Sequence, residues 1–255
     1  MASLLRRTLR ELEHWRTKDW TFAEVGAHWD STEDYDDINS ETYSYARRFE
    51  DGLRLSRLPL KGPALDVCAR TGNGATFFHQ RTKLAPIVCA DVSFKMGAIC
   101  RARLELARVP SWMWVPLGQS TLPFADDSFE TVLCFETVEH FPRPGLFVRE
   151  LGRVTRPGGH LVLTTPNVLW EPIHALAAIT QLHHSEGPHR FVSLSSLTAM
   201  VLAADFEIDR IETTVLVPGG PRILIRVGEW IEDHTRETLM PLLGLRRVVI
   251  ATKLG

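Results

Sequence analysis

The most chemically loaded stretch of the chain is "ALDVCARTGNGATFF", residues 64–78. An apolar run ends in Asp66, a short loop carries Gly72 and Gly74, and a helical pattern follows. Strand, tight loop and helix in that order present backbone amides at a helix N-terminus, where anionic groups settle. A second carboxylate, Asp91, ends the next apolar run. A carboxylate at that place accepts hydrogen bonds from both hydroxyls of a ribose. The loop departs from the G-x-G-x-x-G pattern of a dinucleotide site, because Cys68 and Arg70 stand at the first two glycine positions. Asp66 points the same way, since a carboxylate repels a pyrophosphate and suits a cationic amine. The ligand that fits has an amino acid at one end and a nucleoside at the other. Its amine would reach Asp66, its carboxylate the helix amides, and its ribose Asp91. S-adenosylmethionine has this combination of groups.

Further chemistry lies in "CFETVEHFPRP", after the fourth apolar run, which holds Glu136, Glu139 and His140. Methyl transfer from a sulfonium is an in-line displacement that asks the protein to align the reactants and exclude water. A base is needed only where the nucleophile must lose a proton. An imidazole titrates in the right range, so His140 is the first catalytic candidate, with Glu136 and Glu139 to orient it or touch substrate. The competing reading is structural, with Glu139 and His140 stabilising the start of the next segment. "QLHHSEGPHRF" adds His183, His184 and His189. No cysteine lies near them and their spacing matches no standard zinc site, so no metal is expected. A solvated loop or a substrate lid is, with His189 the second catalytic candidate.

The elements that must position these residues follow from pattern. From residue 64 the strands "ALDV", "IVCAD", "WMWVPL", "FETVLCF" and "HLVLTT" alternate with helical segments beginning near Gly74 and at "SFKMGAICRARLELA" and "GLFVRELGRV". The turn "RPGG" precedes the fifth strand. A helix at "LSSLTAMVLAA", a strand at "FEIDRIETTV", a helix at "VGEWIEDHTRETLM" and a strand at "RRVVIAT" complete the chain. This rhythm predicts an α/β fold with a parallel sheet covered on both faces. Residues 1–60 read as a helical N-terminal cap and 61–255 as one catalytic domain, with 166–192 as a lid or insertion. Leu5, Leu9, Leu12 and Trp15 recur at helical spacing, as in a surface helix packed on the domain.

At 255 residues the chain can bury one elaborated core. A formal net charge of -2 calls for neither nucleic acid nor an anionic membrane as partner. No apolar stretch reaches the length of a membrane span. The N-terminus lacks the long apolar core of a secretory signal, and a cytoplasmic location is expected. The four cysteines, at 68, 89, 100 and 134, lack paired spacing and read as reduced thiols.

"LDVCARTGNG", "CADVS", "LPFADDSFETVLCFETVEHF" and "RVTRPGGHLVLTTPN" together resemble the class I S-adenosylmethionine-dependent methyltransferases, in that family's order and spacing, from about residue 60 to 215. The resemblance implies a Rossmann-like, doubly wound sheet of seven strands, mostly parallel, with "RRVVIAT" as the one antiparallel strand. It implies that Asp66, Cys68, Ala69, Arg70, Thr71, Gly72, Asn73 and Gly74 surround the methionine end of S-adenosylmethionine. Asp91 would hold the ribose, Val92 and Met96 would flank the adenine, and Gln119 and Ser120 would stand near its edge. Phe135 and Glu136 would border the cofactor from the fourth strand. Tyr35, Asp36 and Asn39 resemble the Tyr-Asp-x-x-Asn motif of ubiquinone/menaquinone-type methyltransferases, whose cap closes over the cofactor. Arg47 or Arg48 matches a later cap arginine more loosely. Glu136, Glu139 and His140 are also similar to a metal-binding pattern of some ubiquinone-pathway O-methyltransferases, but a further matched ligand is missing.

This chain departs from the family at three places. The family reads Asp-x-Gly-x-Gly-x-Gly where this chain has Asp66, Cys68, Arg70 and Gly72. The carboxylate that receives the adenine amine is replaced by "LGQS", leaving the Gln119 amide oxygen to substitute. Arg70 either swings outward or pairs with the ligand carboxylate. The acceptor expected is a small molecule, flat or apolar if the aromatic cap face of Trp20, Trp29, Tyr43, Tyr45 and Phe49 lines its pocket. The rival readings are a catalytically degenerate binding or partner subunit, and a protein or nucleic-acid methyltransferase. The latter lacks support, because no Asn-Pro-Pro-aromatic motif follows the fourth strand and no basic groove shows in the composition. Neither the atom methylated nor the oligomeric state is encoded in these motifs.

Overall fold

The computed structural model describes residues 5, 8–9, 11–13, 19–32, 36, 42–119, 121–180 and 187–255. Tyr35, Asn39, Ser120, His183 and His184 lie outside the described residues. Helices α1 (Phe22–Ser31) and α2 (Tyr43–Ser56) precede an alternation of strands and helices. These are β1 (Lys61–Val67), α3 (Asn73–His79), β2 (Lys83–Asp91), α4 (Phe94–Leu106), β3 (Trp112–Pro116), β4 (Phe129–Phe135), α5 (Pro144–Val154) and β5 (Thr155–Pro166). Then come α6 (Glu171–Ile179), α7 (Leu194–Leu202), β6 (Phe206–Thr214), α8 (Arg222–Thr235), α9 (Met240–Leu243) and β7 (Arg246–Lys253).

The seven strands form one sheet in the order β3-β2-β1-β4-β5-β7-β6. Strand β7 runs antiparallel to both of its neighbours, and every other pairing is parallel. The strand order therefore reverses between β1 and β4, the place where a doubly wound sheet opens a crevice beyond its strand ends. Successive residues of the central strands face opposite cores. Ala64, Leu133 and Val162 join one core with Phe49, Ala75, Phe78 and Met96 of the helices. Leu65, Val132 and Leu163 join the other with Phe147, Leu151, Leu197 and Val201. Burial on both faces is why these strands read as continuous apolar runs rather than alternating ones.

Local signals start the helices. Thr21 and Glu24 close a reciprocal capping box on α1, and the Ser93 hydroxyl accepts from the Met96 amide to cap α4. Three boundaries differ from the sequence pattern. The "RPGG" turn is absorbed into β5 as an irregularity, with Thr155 opposite Phe129 and His160 opposite Thr131. Helix α8 starts at Arg222, just past Pro221, and not near Val227; Ile223, Leu224, Val227 and Trp230 recur at helical spacing on one face, which is exposed. Met240, expected within that helix, begins the separate α9. The connection 166–192 contains helix α6. Of the apolar stripe in the N-terminal segment, Leu5, Leu9 and Leu12 are exposed and Trp15 lies outside the described residues.

Gly72 caps α3 at φ 79°, in the left-handed region that favours glycine, and a Cβ added there would lie 2.8 Å from Cys100 Sγ. Gly72→Ala should therefore cost about 2 kcal/mol through strain and overpacking. Its melting temperature should fall by roughly 4–8 °C for a chain of this size. A scanning calorimetry trace unchanged from that of the parent would show that this loop is not held in the described geometry.

Candidate active site

The loop after β1 carries three left-handed residues in alternation: Cys68 at φ 53°, Arg70 at φ 49° and Gly72 at φ 79°. The first two are positions where a side chain makes this conformation unfavourable by about 1–2 kcal/mol each. The neighbouring hydrogen bonds over-determine it. The Ala69 amide donates to the Ala90 carbonyl at 3.1 Å, the Gly72 amide to the Ala69 carbonyl at 2.8 Å, and the Arg70 amide to Asp91 Oδ2 at 2.6 Å. The glycine-type backbone path is thus retained without the glycines.

Asp66 and Asp91 close the ends of the adjacent parallel strands β1 and β2, and both are buried. Asp91 accepts from the Arg70 amide and, through Oδ1, from the Ser93 amide at 2.8 Å. Burial raises its pKa, against the pull of those amides and of the Arg70 charge. Asp66 is the less satisfied of the two. Burial pushes its carboxyl up to about 7, opposed by the Ala75 amide and assisted by the Asp91 charge. Its Oδ2 is buried with no hydrogen-bond partner. A Cβ at Gly74 would stand 3.0 Å from that same oxygen, so glycine there keeps the approach to it open.

The cap closes over this loop through charged contacts. Asp36 accepts from Thr71 Oγ1 at 2.8 Å, from Asn73 Nδ2 at 2.9 Å and from Arg103 Nη2 at 2.7 Å. Asn73 also donates to Tyr45 Oη at 2.7 Å. At the end of α1, Asp30 accepts from the Ser93 hydroxyl at 2.6 Å. Of the two cap arginines, Arg47 turns to Asp51 and Glu232, while Arg48 lies under the Tyr45 ring beside the loop. Arg48 is buried and its Nε has no hydrogen-bond partner.

The loop after β4 forms the opposite wall. Glu136, at φ 48°, accepts from Arg246 Nε at 3.0 Å, and Arg246 also donates to the Ser44 carbonyl at 2.8 Å. Burial would raise the Glu136 pKa, but the Arg246 and Arg48 guanidiniums outweigh it and hold the carboxyl below its usual range. His140 Nδ1 lies 3.2 Å from the Pro188 carbonyl, an acceptor, so that in the neutral ring Nδ1 carries the proton. Nε2 then presents a lone pair on the side of Arg70 Nη2, 3.4 Å away. Trp20 Nε1 donates to the His140 carbonyl at 2.9 Å and anchors the same turn to the cap. Glu139 faces the sheet, where Oε2 accepts from Thr165 Oγ1 at 2.8 Å and its carbonyl accepts the Arg190 amide. His189 stands 6.5 Å from His140, ring to ring, with Nδ1 on the Gly187 carbonyl.

Two small cavities flank Arg70. One, of about 20 Å³, lies between Asp66, Gly74, Asn73 and Arg48. The other, of about 10 Å³, lies between Asp91, Val92, His140 and the aromatic cap residues Phe22 and Trp29. Of the remaining residues expected at the cofactor, Cys68 borders both cavities, while Ala69 and Phe135 border the first and Glu136 the second. Met96 is buried in the core beneath, and Gln119 is exposed on the loop after β3. Among the described residues no group of three or more His, Cys, Asp or Glu side chains could hold a metal ion. Arg246 and Arg103 were not singled out in the sequence, since each lies far along the chain from its acidic partner. The donor set suits S-adenosylmethionine: an orphaned buried carboxylate oxygen for its amine, a buried guanidinium for its carboxylate, and Asp91 for its ribose. The space does not yet suit it, since each cavity holds about one water molecule.

A family model described as "Methyltransferase domain" matches residues 65–163, and a second of the same description matches residues 119–212. The chain is 31% identical over 127 residues to "Probable phthiotriol/phenolphthiotriol dimycocerosates methyltransferase 2" of Mycobacterium ulcerans, covering 48% of each. It is 27% identical over 162 residues to the phosphatidylethanolamine N-methyltransferase of Cereibacter sphaeroides, covering 62% of this chain and 76% of that protein. The chain spans about half the length of the first of these relatives. Among solved structures, the phosphoethanolamine N-methyltransferase 2 of Haemonchus contortus in complex with S-adenosyl-L-methionine shares the fold. Its TM-score is 0.65 at 16% identity, over 91% of this chain and 60% of that one. The matched domain models, the strand order and the acidic strand ends agree: the chain belongs to the class I S-adenosylmethionine-dependent methyltransferases.

Proposed function

We propose that this protein transfers the methyl group of S-adenosylmethionine to a small apolar acceptor seated under the helical cap. The observation that carries the reading is the pairing, in one cavity wall, of Asp66 Oδ2 and Arg48 Nε, both buried and both lacking a hydrogen-bond partner. An anion acceptor and a cation donor facing one space suit a zwitterionic amino acid. Asp91 stands at the far side of the loop for a ribose, next to Val92. The adenine edge would lie toward Gln119 and Ser120, with Met96 beneath. When bound, the cofactor supplies an electrophilic methyl group. The protein's own part is to orient, to keep water out and to receive a proton where the acceptor must lose one. The cap rings Phe22 and Trp29 supply the apolar wall. His140 Nε2 is the group that can take the proton, with Nδ1 held on the Pro188 carbonyl. Glu139 and His189 would act as positioning residues for the turn that carries His140. An apolar acceptor agrees with those rings, and with relatives named for fatty acids and for dimycocerosate and phosphatidylethanolamine lipids.

Calorimetry with S-adenosylhomocysteine tests the cofactor half of this reading. Arg48→Met should weaken binding roughly tenfold or more, by loss of a charge-assisted hydrogen bond. It should leave the affinity for 5′-methylthioadenosine, which lacks the amino acid, unchanged. Equal losses for both ligands would remove Arg48 from the carboxylate site.

The pH profile gives a second test. An ammonium requires the ionised form of Asp66, whose folded pKa lies near 7. Affinity should therefore fall as pH drops through 7, approaching about tenfold per unit at lower pH. Asp66→Asn should bind more weakly at pH 8 and show a flat profile. A profile in the variant identical to that of the parent would show that the amine goes elsewhere. The acceptor half is tested by transfer of labelled methyl from S-adenosylmethionine into lipid and aromatic small-molecule fractions, with the lipid fraction expected to carry the label.

A further inference from the structure

Arg70 is a charged side chain at the site that the cofactor reading does not use. Its backbone belongs to the loop beside Asp91. Its side chain does not turn outward, as an exposed arginine would. It crosses the mouth of the sheet toward the loop after β4. There Nη2 donates to the Glu136 carbonyl at 3.0 Å and approaches His140 Nε2 at 3.4 Å. The guanidinium carbon lies 4.3 Å from the centre of the Trp29 ring. Arg70 and Cys68 are the residues common to the walls of both cavities, so this side chain helps to partition one crevice into two. A ligand held by Asp66 at one end and by Asp91 at the other must lie across that partition.

We infer that Arg70 is a resident occupant of the cofactor site, whose guanidinium must withdraw from Trp29 and the Glu136 carbonyl before S-adenosylmethionine can seat. The inference rests on the reading of Asp66 and Asp91 as cofactor contacts. A partly desolvated cation on a tryptophan face and a charge-assisted bond to a carbonyl are both favourable, so the closed arrangement is a defined state. The apparent affinity for cofactor is then the intrinsic affinity multiplied by the fraction of molecules in which Arg70 has withdrawn. Withdrawal has two further consequences. It joins the two cavities into one cleft, and it turns the His140 Nε2 lone pair from the guanidinium to the space beside Trp29. Cofactor binding and the readiness of His140 to receive a proton are thereby linked through one side chain.

The test is calorimetric titration of the parent, Arg70→Gly and Arg70→Met with S-adenosylhomocysteine. Circular dichroism melts serve as the folding control. Glycine suits the φ of 49° at this position and removes the occupant. If the withdrawn state is a minor one, Arg70→Gly should bind about tenfold tighter or more. Arg70→Met keeps bulk but loses both anchors, and it should also bind more tightly than the parent. It serves as the deciding variant if the glycine protein does not fold. Variants that bind S-adenosylhomocysteine with the parent's affinity, or more weakly, would overturn the occupant role while leaving the cofactor site in place. Absence of binding to the parent and to both variants would overturn the occupant role and the cofactor reading together.

Discussion

The structure turns on a buried carboxylate with no cation of its own. Asp66 ends β1 at the centre of the sheet, where burial raises its pKa to about 7 and leaves one oxygen without a partner. Holding such a group ionised near neutral pH costs on the order of 4 kcal/mol relative to an exposed one. Core packing gives no reason for it, since an apolar residue would fill the same place. Its neighbour Asp91 is satisfied by backbone amides and holds the loop between them in its left-handed path. A ligand with an ammonium group would supply the charge that the folded chain leaves out at Asp66. The reading of this crevice as a cofactor site follows from that deficit more than from the shape of the cavities.

Around the crevice, cap and loops are tied into one unit. Asp36 grips the glycine loop and Arg103, Asp30 caps onto Ser93, Trp20 anchors the turn of His140, and Arg246 joins Glu136 to the start of α2. Each contact joins segments far apart in the chain, and each ends within a few residues of a proposed ligand contact. The N-terminal helices are therefore packed with these loops as one unit around the crevice. Arg70 belongs to the same unit through Trp29, which makes a cap residue one of the groups that must adjust when the crevice fills. A degenerate methyltransferase-like subunit would be expected to lose the Asp66 deficit first, because nothing but a ligand compensates it.

Much of the fold was legible because the central strands are buried on both faces and read as apolar runs ended by acids. The family resemblance implied the antiparallel β7, and the apolar patterns placed the helices α4 and α7, although the Ser193 cap of α7 was not read. The path of Arg70 was not. Sequence suggested a side chain turned outward or paired with a carboxylate, and the structure turns it inward onto Trp29. Cys68 and Arg70 hold a conformation that their side chains disfavour, so the residue types concealed a backbone that hydrogen bonds to Ala90 and Asp91 enforce. The start of α8 was placed too late, although Pro221 marks it and Ile223 and Leu224 continue the helical spacing of Val227 and Trp230 upstream. The choice between Arg47 and Arg48 needed the structure as well, since adjacent helical residues point apart and only one can reach the loop.

The central claim concerns where the two ends of one molecule lie, and a crystal structure of the Arg70→Gly protein grown with S-adenosylhomocysteine addresses it most directly. The account predicts the amine within hydrogen-bond distance of Asp66 Oδ2, the carboxylate at Arg48 and both ribose hydroxyls on Asp91. A ligand bound elsewhere, or seated here with neither Asp66 nor Asp91 in contact, would contradict it.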